Sequence, residues 1–378
     1  MAVSEVQIVP VTSRRELKDV VMFPFSLYRG DPNWVPPLIS ERMEHYDPQR
    51  NPFFEHAEMQ LFRAVRDGQT VGTIGAIADE MHIKTWNEPV GFWGVFECID
   101  DAEVAAKLFD AAREWLAARG REVMRGPMNL NINDECGLLI EGFDGPPVIM
   151  MPYNPPYYQQ LVEGYGFTKA KDLYAYKVNI REHDPNMDRL QRVARIAQER
   201  YYVWTRKLEL KHVDREVELI KPIYRKAWEK NWGAVPLTDA EFDYLAEALK
   251  VVADPDLSYL AFIGDEAVGC FLTLADYHQV LKHLGGKLFP FGWAKFLWYR
   301  RKIMGVRVLI MGVLEEHRIK GIEALFFLTG WKEALRKGYE WAEMSWILED
   351  NFKVIRDIES MGGVHYRTYR MYDIPTKR

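Results

Sequence analysis

The sequence predicts a mixed α/β protein, a sheet with helices on its faces, built as two tandem copies of one domain. Three observations support this. The chain has 378 residues, a length that fits two domains better than one. An ordered series of identities links its two halves. Within each half the apolar pattern switches between a period of two and a helical period in the same order.

The series begins with Asn33 and Trp34, which return as Asn231 and Trp232, and Pro37 and Leu38, which return as Pro236 and Leu237. Ala64, Val71 and Gly72 recur at an offset of 197 as Ala261, Val268 and Gly269. Gly94, Val95, Phe96 and Glu97 align with Gly312, Val313, Leu314 and Glu315 at an offset of 218, and Gly120 with Gly338 at the same offset. Glu163, Gly166 and Tyr176 then return at 196 as Glu359, Gly362 and Tyr372. The drift implies about 21 extra residues in the second half, between 269 and 312, and about 22 in the first, between 120 and 166. The domain boundary is expected in the polar stretch 181–188, giving domains at 1–180 and 181–378.

In the first half, apolar runs at 61–65 and 71–77 flank Asp67-Gly68, a turn pair that suits a hairpin. A strand ending at Glu97 follows. Val104, Ala105, Leu108, Phe109, Ala112, Trp115 and Leu116 have helical spacing over 102–119, with Gly120 at the C-cap. A strand at 122–125, a helix at 157–163 and a last strand close the half. The second half repeats this as a hairpin at 259–275, strand 307–315, helix 320–337, strand 340–347, helix 351–360 and strand 364–372. The proline-rich stretch 22–56, with six prolines, is expected to cover the sheet.

Composition narrows the functions. Hydrophobic residues make up 48% and charged residues 28%, which suits packed cores. With 49 Lys+Arg against 55 Asp+Glu the net charge is −6, so the bulk attraction that drives nucleic-acid binding is missing and DNA is not an expected partner. Cys98, Cys136 and Cys270 form no CxxC pair, and the nine histidines form no HExxH, so neither a disulfide framework nor a metal site is expected. No GxSxG or Walker A pattern occurs. The start lacks a signal-like apolar run, and the longest uncharged window, 145–162, carries five prolines. A cytoplasmic protein without a transmembrane segment is expected.

The most informative stretch is 308–328, VLIMGVLEEHRIKGIEALFFL, where an apolar strand meets a helix through a basic, glycine-containing turn. A helix start offers unpaired N–H groups and a positive dipole end, a natural cradle for a pyrophosphate. Here the chain resembles the GNAT superfamily of acyl-CoA N-acyltransferases, whose strand-to-helix junction carries (Arg/Gln)-x-x-Gly-x-(Gly/Ala). Arg318 and Gly321 match, and Glu323 stands where the family has a small residue. Asn351 and Gly362 match the family's later Asn…Gly-Phe segment, with Ile358 at its tyrosine position and Gly363 in place of its Phe.

The resemblance implies two GNAT-like domains, with acetyl-CoA or a longer acyl-CoA as donor in the second. The donor would lie on Val313, Leu314, Arg318, Ile319, Lys320, Gly321 and Ile322, with Glu315 and Asn351 as the catalytic candidates. At the 218 offset the first half offers Asp100, Asp101, Ala102 and Glu103 in place of the basic turn, so it is expected not to bind coenzyme A. Glu315 would take a proton from a small amine or amino acid acceptor; read blandly, it is a solvated turn acid or a partner of Arg318. Tyr366, Tyr369 and Tyr372 are candidate acids, or simply packing residues. Two other readings stay open: an aminoacyl-tRNA-dependent peptidyltransferase, and a GNAT-like binding or regulatory protein without catalysis.

Two insertions add detail. Residues 277–305 interleave aromatics with Lys282, Lys287, Lys295, Arg300, Arg301 and Lys302, which fits an acyl-chain lid, a membrane-surface helix, an RNA contact, or a docked helical hairpin with solvated charges. Residues 129–152, with Asn129, Asn131, Asn133, Asp134 and Glu135, fit either an acceptor-amine site or a loop capped by its own side chains.

Overall fold

The computed structural model describes residues 5–180 and 187–377, so most of the expected boundary at 181–188 lies outside the described residues. In chain order the regular elements begin with β1 (Gln7–Pro10), α1 (Arg14–Leu27), α2 (Ile39–His45), β2 (Ala57–Arg66), β3 (Gln69–Asp79) and α3 (Glu80–Trp86). There follow β4 (Val90–Cys98), α4 (Ala102–Ala117), β5 (Val123–Gly126), β6 (Leu138–Glu141), α5 (Tyr158–Tyr165) and β7 (Thr168–Asn179). The later part holds α6 (Met187–Tyr201), β8 (Val203–Lys207), α7 (Val213–Trp228), α8 (Asp239–Lys250), β9 (Tyr259–Ile263), β10 (Glu266–Ala275), α9 (His278–Leu281) and α10 (Gly292–Tyr299). It ends with β11 (Gly305–Val313), α11 (Ile322–Lys337), β12 (Trp341–Leu348), α12 (Phe352–Ser360) and β13 (Val364–Pro375).

The described residues fall into two compact units. Unit 1 comprises the chain up to Leu173 with Leu281–Phe296 and the residues from Arg367 on, and unit 2 comprises Tyr174–Val280 with Leu297–Tyr366. Both are mixed α/β, as the periodicity predicts.

In unit 1 the sheet runs β1-β2-β3-β4-β5 and is extended by β13, with Tyr372 opposite Gly126 and Pro375 opposite Val123. The β2–β3 hairpin turns at Asp67 and Gly68, both at positive φ, which only a short polar residue and a glycine adopt cheaply. Helix α4 lays Val104, Leu108, Phe109, Ala112 and Leu116 into the core around the fully buried Trp93. Arg125 clamps β13 through paired 2.9 Å bonds to Asp373.

Residues 281–286 of the second insertion also belong to unit 1. Ile39 N–H donates to Gly286 O at 3.0 Å, and a Cβ at Gly286 would strike the Phe25 ring at 2.6 Å. The stretch 22–56, which holds the end of α1, α2 and their connection, therefore receives this insertion.

Unit 2 orders its strands β8-β9-β10-β11-β12. Helices α6 and α11 pack on one face through Ala194, Ala197, Ile322, Leu325 and Phe326, against Phe271 and Val313 of the sheet. Helices α7 and α8 join through Val217, Leu237 and Phe242.

Candidate active site

In unit 2 the parallel strands β11 and β12 pair only from Gly305 opposite Trp341 to Val308 opposite Met344. Beyond that point they part, although β11 continues to Val313 and β12 to Leu348. On its other edge β11 stays paired with β10, with a bulge that sets Leu272 opposite Ile310 and Thr273 opposite Val308, leaving Leu309 as the extra residue. A strand that leaves its partner presents a row of backbone groups to whatever enters the gap.

The connection from β11 to α11 is a short 3-10 turn, Glu315–Lys320, ending at Gly321. Gly321 has φ +79°, and a Cβ there would lie 2.8 Å from Val193 Cγ1, so both conformation and packing call for glycine. No side chain caps the start of α11. Val313, Leu314 and Ile322 are buried, and Leu314 N–H donates to Val268 O at 3.0 Å. Arg318 braces the turn, its guanidinium donating to Val313 O and Ala227 O at 3.3 Å each. Lys320 Nζ lies 2.7 Å from His317 Nδ1, and Ile319 is exposed. Burial pushes the Glu323 carboxyl up, against the pull of its own backbone amide.

The two catalytic candidates occupy different settings. Glu315 is exposed at the end of β11 and ion-paired with Lys230 at 2.9 Å, which holds its carboxyl below the usual range. Asn351 caps α12, its side chain accepting from Val354 N–H at 3.5 Å.

At the vertex where β11 and β12 part lies a buried polar cluster. Arg307 and Glu343 are register partners, both essentially without solvent exposure. Arg307 donates to Ser345 O at 3.3 Å and faces the Trp346 ring at 5.0 Å, while Ser345 Oγ donates to Glu343 Oε1 at 2.6 Å. Tyr366 donates its hydroxyl to Glu343 Oε2. The sequence reading singled out Tyr366 but passed over the rest. The available signal was a charge inside each of two otherwise apolar runs, GVRVLIMGV and WAEMSWIL.

Unit 1 builds the same parting differently. β4 and β5 pair from Val90 opposite Val123 to Phe92 opposite Arg125, then separate, and β4 also carries a bulge. Here the chain itself fills the gap. Met128 N–H donates to Trp93 O and Val95 N–H donates to Asn129 Oδ1, both at 2.8 Å. A Cβ on Gly94 would sit 2.0 Å from Met128 O. The rest of the 129–152 insertion is tied by local caps, Asn131 Oδ1 accepting from Asn133 N–H and Asp134 Oδ1 from Glu135 N–H. At the start of α4, Asp101 accepts from Glu103 and Val104 N–H.

The strand register corrects one equivalence. Gly72 faces Cys98 and Gly269 faces Val313, so Cys98 matches Val313 and Glu97 matches Gly312, three residues from Glu315. Glu97 is instead a carboxylate gripped by Tyr28 at 2.8 Å and Tyr158 at 2.7 Å, with burial pushing it up to about 7 against those two bonds. With helices starting at Ala102 and Ile322, the connection spans three residues in unit 1, 99–101, and eight in unit 2, 314–321.

The chain has relatives among known proteins. The chain is 39% identical to the bacterial ceramide synthase of Caulobacter vibrioides (strain NA1000 / CB15N), over 98% of this chain and 97% of that protein. It is 37% identical to Protein YghO of Escherichia coli (strain K12), over 96% and 93%. The chain belongs to their family. No family model matches it. Among solved structures it resembles a tandem GNAT protein from the clavulanic acid biosynthesis pathway, with a TM-score of 0.60 and 12% identity over 99% of both chains. It also resembles a GCN5-related N-acetyltransferase from Sphaerobacter thermophilus, with a TM-score of 0.53 and 13% identity over 98% and 96%. Its fold is the tandem GNAT fold. Among the described residues no helix is long and apolar enough to cross a membrane, and no cluster of His, Cys, Asp and Glu could hold a metal ion.

Proposed function

We propose that this protein transfers an acyl group from an acyl-CoA, held in unit 2, to the amine of a long-chain amino alcohol, forming an amide. The observation that carries this reading is the parting of β11 and β12, which ends at a helix start that no side chain among the described residues caps. The name of the Caulobacter relative supports the acceptor, since a ceramide is the amide of a fatty acid and a long-chain amino alcohol. This revises the expected small amine or amino acid toward a lipid amine.

In this reading the pyrophosphate lies at the turn of Arg318, Ile319, Lys320, Gly321 and Ile322, where helix-start amides and two cations meet it. The pantetheine arm follows the free edge of β11 toward Val313 and Leu314. Arg318 acts mainly by holding that turn, through its two carbonyl bonds. The amine nitrogen attacks the thioester carbonyl, the C–N bond forms and the C–S bond breaks, and the thiolate leaves and is protonated. Glu315 is the proposed proton acceptor, directly or through water, once Lys230 releases it, and Asn351 is placed at the start of α12 to orient the reacting groups. Glu343, with Tyr366, is the second proton-handling candidate, at the vertex.

The test is calorimetric titration of the whole chain with coenzyme A and a long-chain acyl-CoA, followed by mass spectrometry of mixtures containing a long-chain amino alcohol. Micromolar donor binding and an N-acylated product are expected. Absence of both overturns the reading. Comparing Glu315→Gln with Glu343→Gln assigns the proton acceptor: the variant that binds donor but loses turnover identifies it.

A further inference from the structure

The segment after α9 stands apart in both charge and exposure. From 277 to 314 the chain has no acidic residue, while Lys282, Lys287, Lys295, Arg300, Arg301 and Lys302 all fall within it, in a protein of net charge −6. Its base is fixed: Leu284 is buried and Gly286 is wedged against Phe25 and Pro37 O. Its tip is held out from the core. Phe289 and Phe291 are 74% and 78% exposed, on a turn closed by Trp293 N–H donating to Leu288 O at 2.7 Å. A Cβ at Gly292 would lie 2.2 Å from Lys287 O, so the turn is tight. Helix α10 carries the apolar surface onward through Trp293, Leu297 and the 62% exposed Trp298, and Met304 is exposed beyond it.

A fixed turn that exposes two phenylalanines costs free energy in water, because the described residues leave most of their apolar area uncovered. Rings beside cations match one environment well, the headgroup layer of an anionic bilayer. There aromatic side chains sit at the interface and lysine or arginine meets lipid phosphate. Lys302 already lies 5.1 Å from the Trp298 ring, which keeps charge and ring together. Single-stranded RNA would also accept rings and cations, but it has no use for Leu297 and Met304, whose aliphatic surface suits acyl chains. We propose that residues 287–304 form a docking surface for an anionic lipid bilayer.

The proposal does not depend on the acyl-transfer reading and is tested separately. The full chain is floated with phosphatidylcholine vesicles, with and without about a third phosphatidylglycerol, beside the variants F289S/F291S/W298S and K295E/R300E/R301E. Thermal unfolding checks that both variants fold, as expected for exposed positions. The wild type should float with the anionic vesicles, less so at high salt, and each variant should bind at least about tenfold more weakly. Failure of the wild type to float, or unchanged binding by both variants, overturns the proposal. So does tighter binding to a single-stranded RNA, or a dimer in sedimentation that the aromatic variant dissolves and that does not bind vesicles.

Discussion

The two strand partings make a controlled comparison inside one molecule. Both halves begin with a parallel pair that separates after three or four residues, and both carry a bulge on the separating strand. In unit 1 the backbone groups so exposed are met by Met128 and Asn129, and the helix start is met by Asp101. In unit 2 no side chain among the described residues caps the start of α11. In unit 1 the chain thus satisfies from its own residues the backbone groups that the parting exposes. The eight-residue connection in unit 2, against three in unit 1, marks the same difference in backbone length.

The sharpest way to break the comparison is to make unit 2 resemble unit 1. Replacing 314–321 with the three residues Ile99, Asp100 and Asp101 should abolish coenzyme A binding, a loss of roughly a hundredfold or more, while calorimetry still shows a folded chain. Retained binding would mean the donor sits elsewhere.

Next in size is Glu97. Its folded carboxyl lies near 7, above its ordinary 4.5. Below about 4.5 it is protonated whether folded or not and changes nothing; from there to about 7 the native state holds the proton longer, so stability falls as pH rises. Above about 7 the full penalty of roughly 3 kcal/mol applies. Glu97→Gln should flatten that slope in urea unfolding measured across this range. An unchanged slope would place the penalty on another group.

A smaller effect is expected at the cap of α4. Asp101→Ala should lower stability by about 1 kcal/mol in the same assay, without creating a second coenzyme A site. A second site would mean that this carboxylate stands in the way of coenzyme A at the start of α4. Smallest is the thiol chemistry: Cys98, Cys136 and Cys270 are all buried, and burial pushes the Cys270 thiol up to about 12, so none should react with a soluble disulfide reagent until the chain unfolds.

Much of the fold was legible in the sequence because its signals are local. The Asp67-Gly68 turn, the helical spacing of 102–119 and the glycines at 120 and 338 each act within a few residues, and the turn and helix ends they mark stand within about two residues of expectation, while β2 starts four residues before the expected 61. The 218 offset misled on one strand because Gly and Glu recur near any strand end, whereas a bulge shifts register without changing composition. The vertex cluster was hidden for a similar reason. Arg307 and Glu343 are 36 positions apart and meet only through parallel pairing. The filling of unit 1's gap depends on the main chain of Met128, which no residue type announces.

One feature bears on how the molecule is made. The strand that extends unit 1's sheet beside β5 reaches Asp373, 248 positions after Arg125, its clamp. Domains emerging from a ribosome usually close in order of synthesis. This one has to wait: β5 keeps a bare edge while the whole of unit 2 is translated, and a nascent chain stalled before residue 367 leaves that edge for a chaperone to shield.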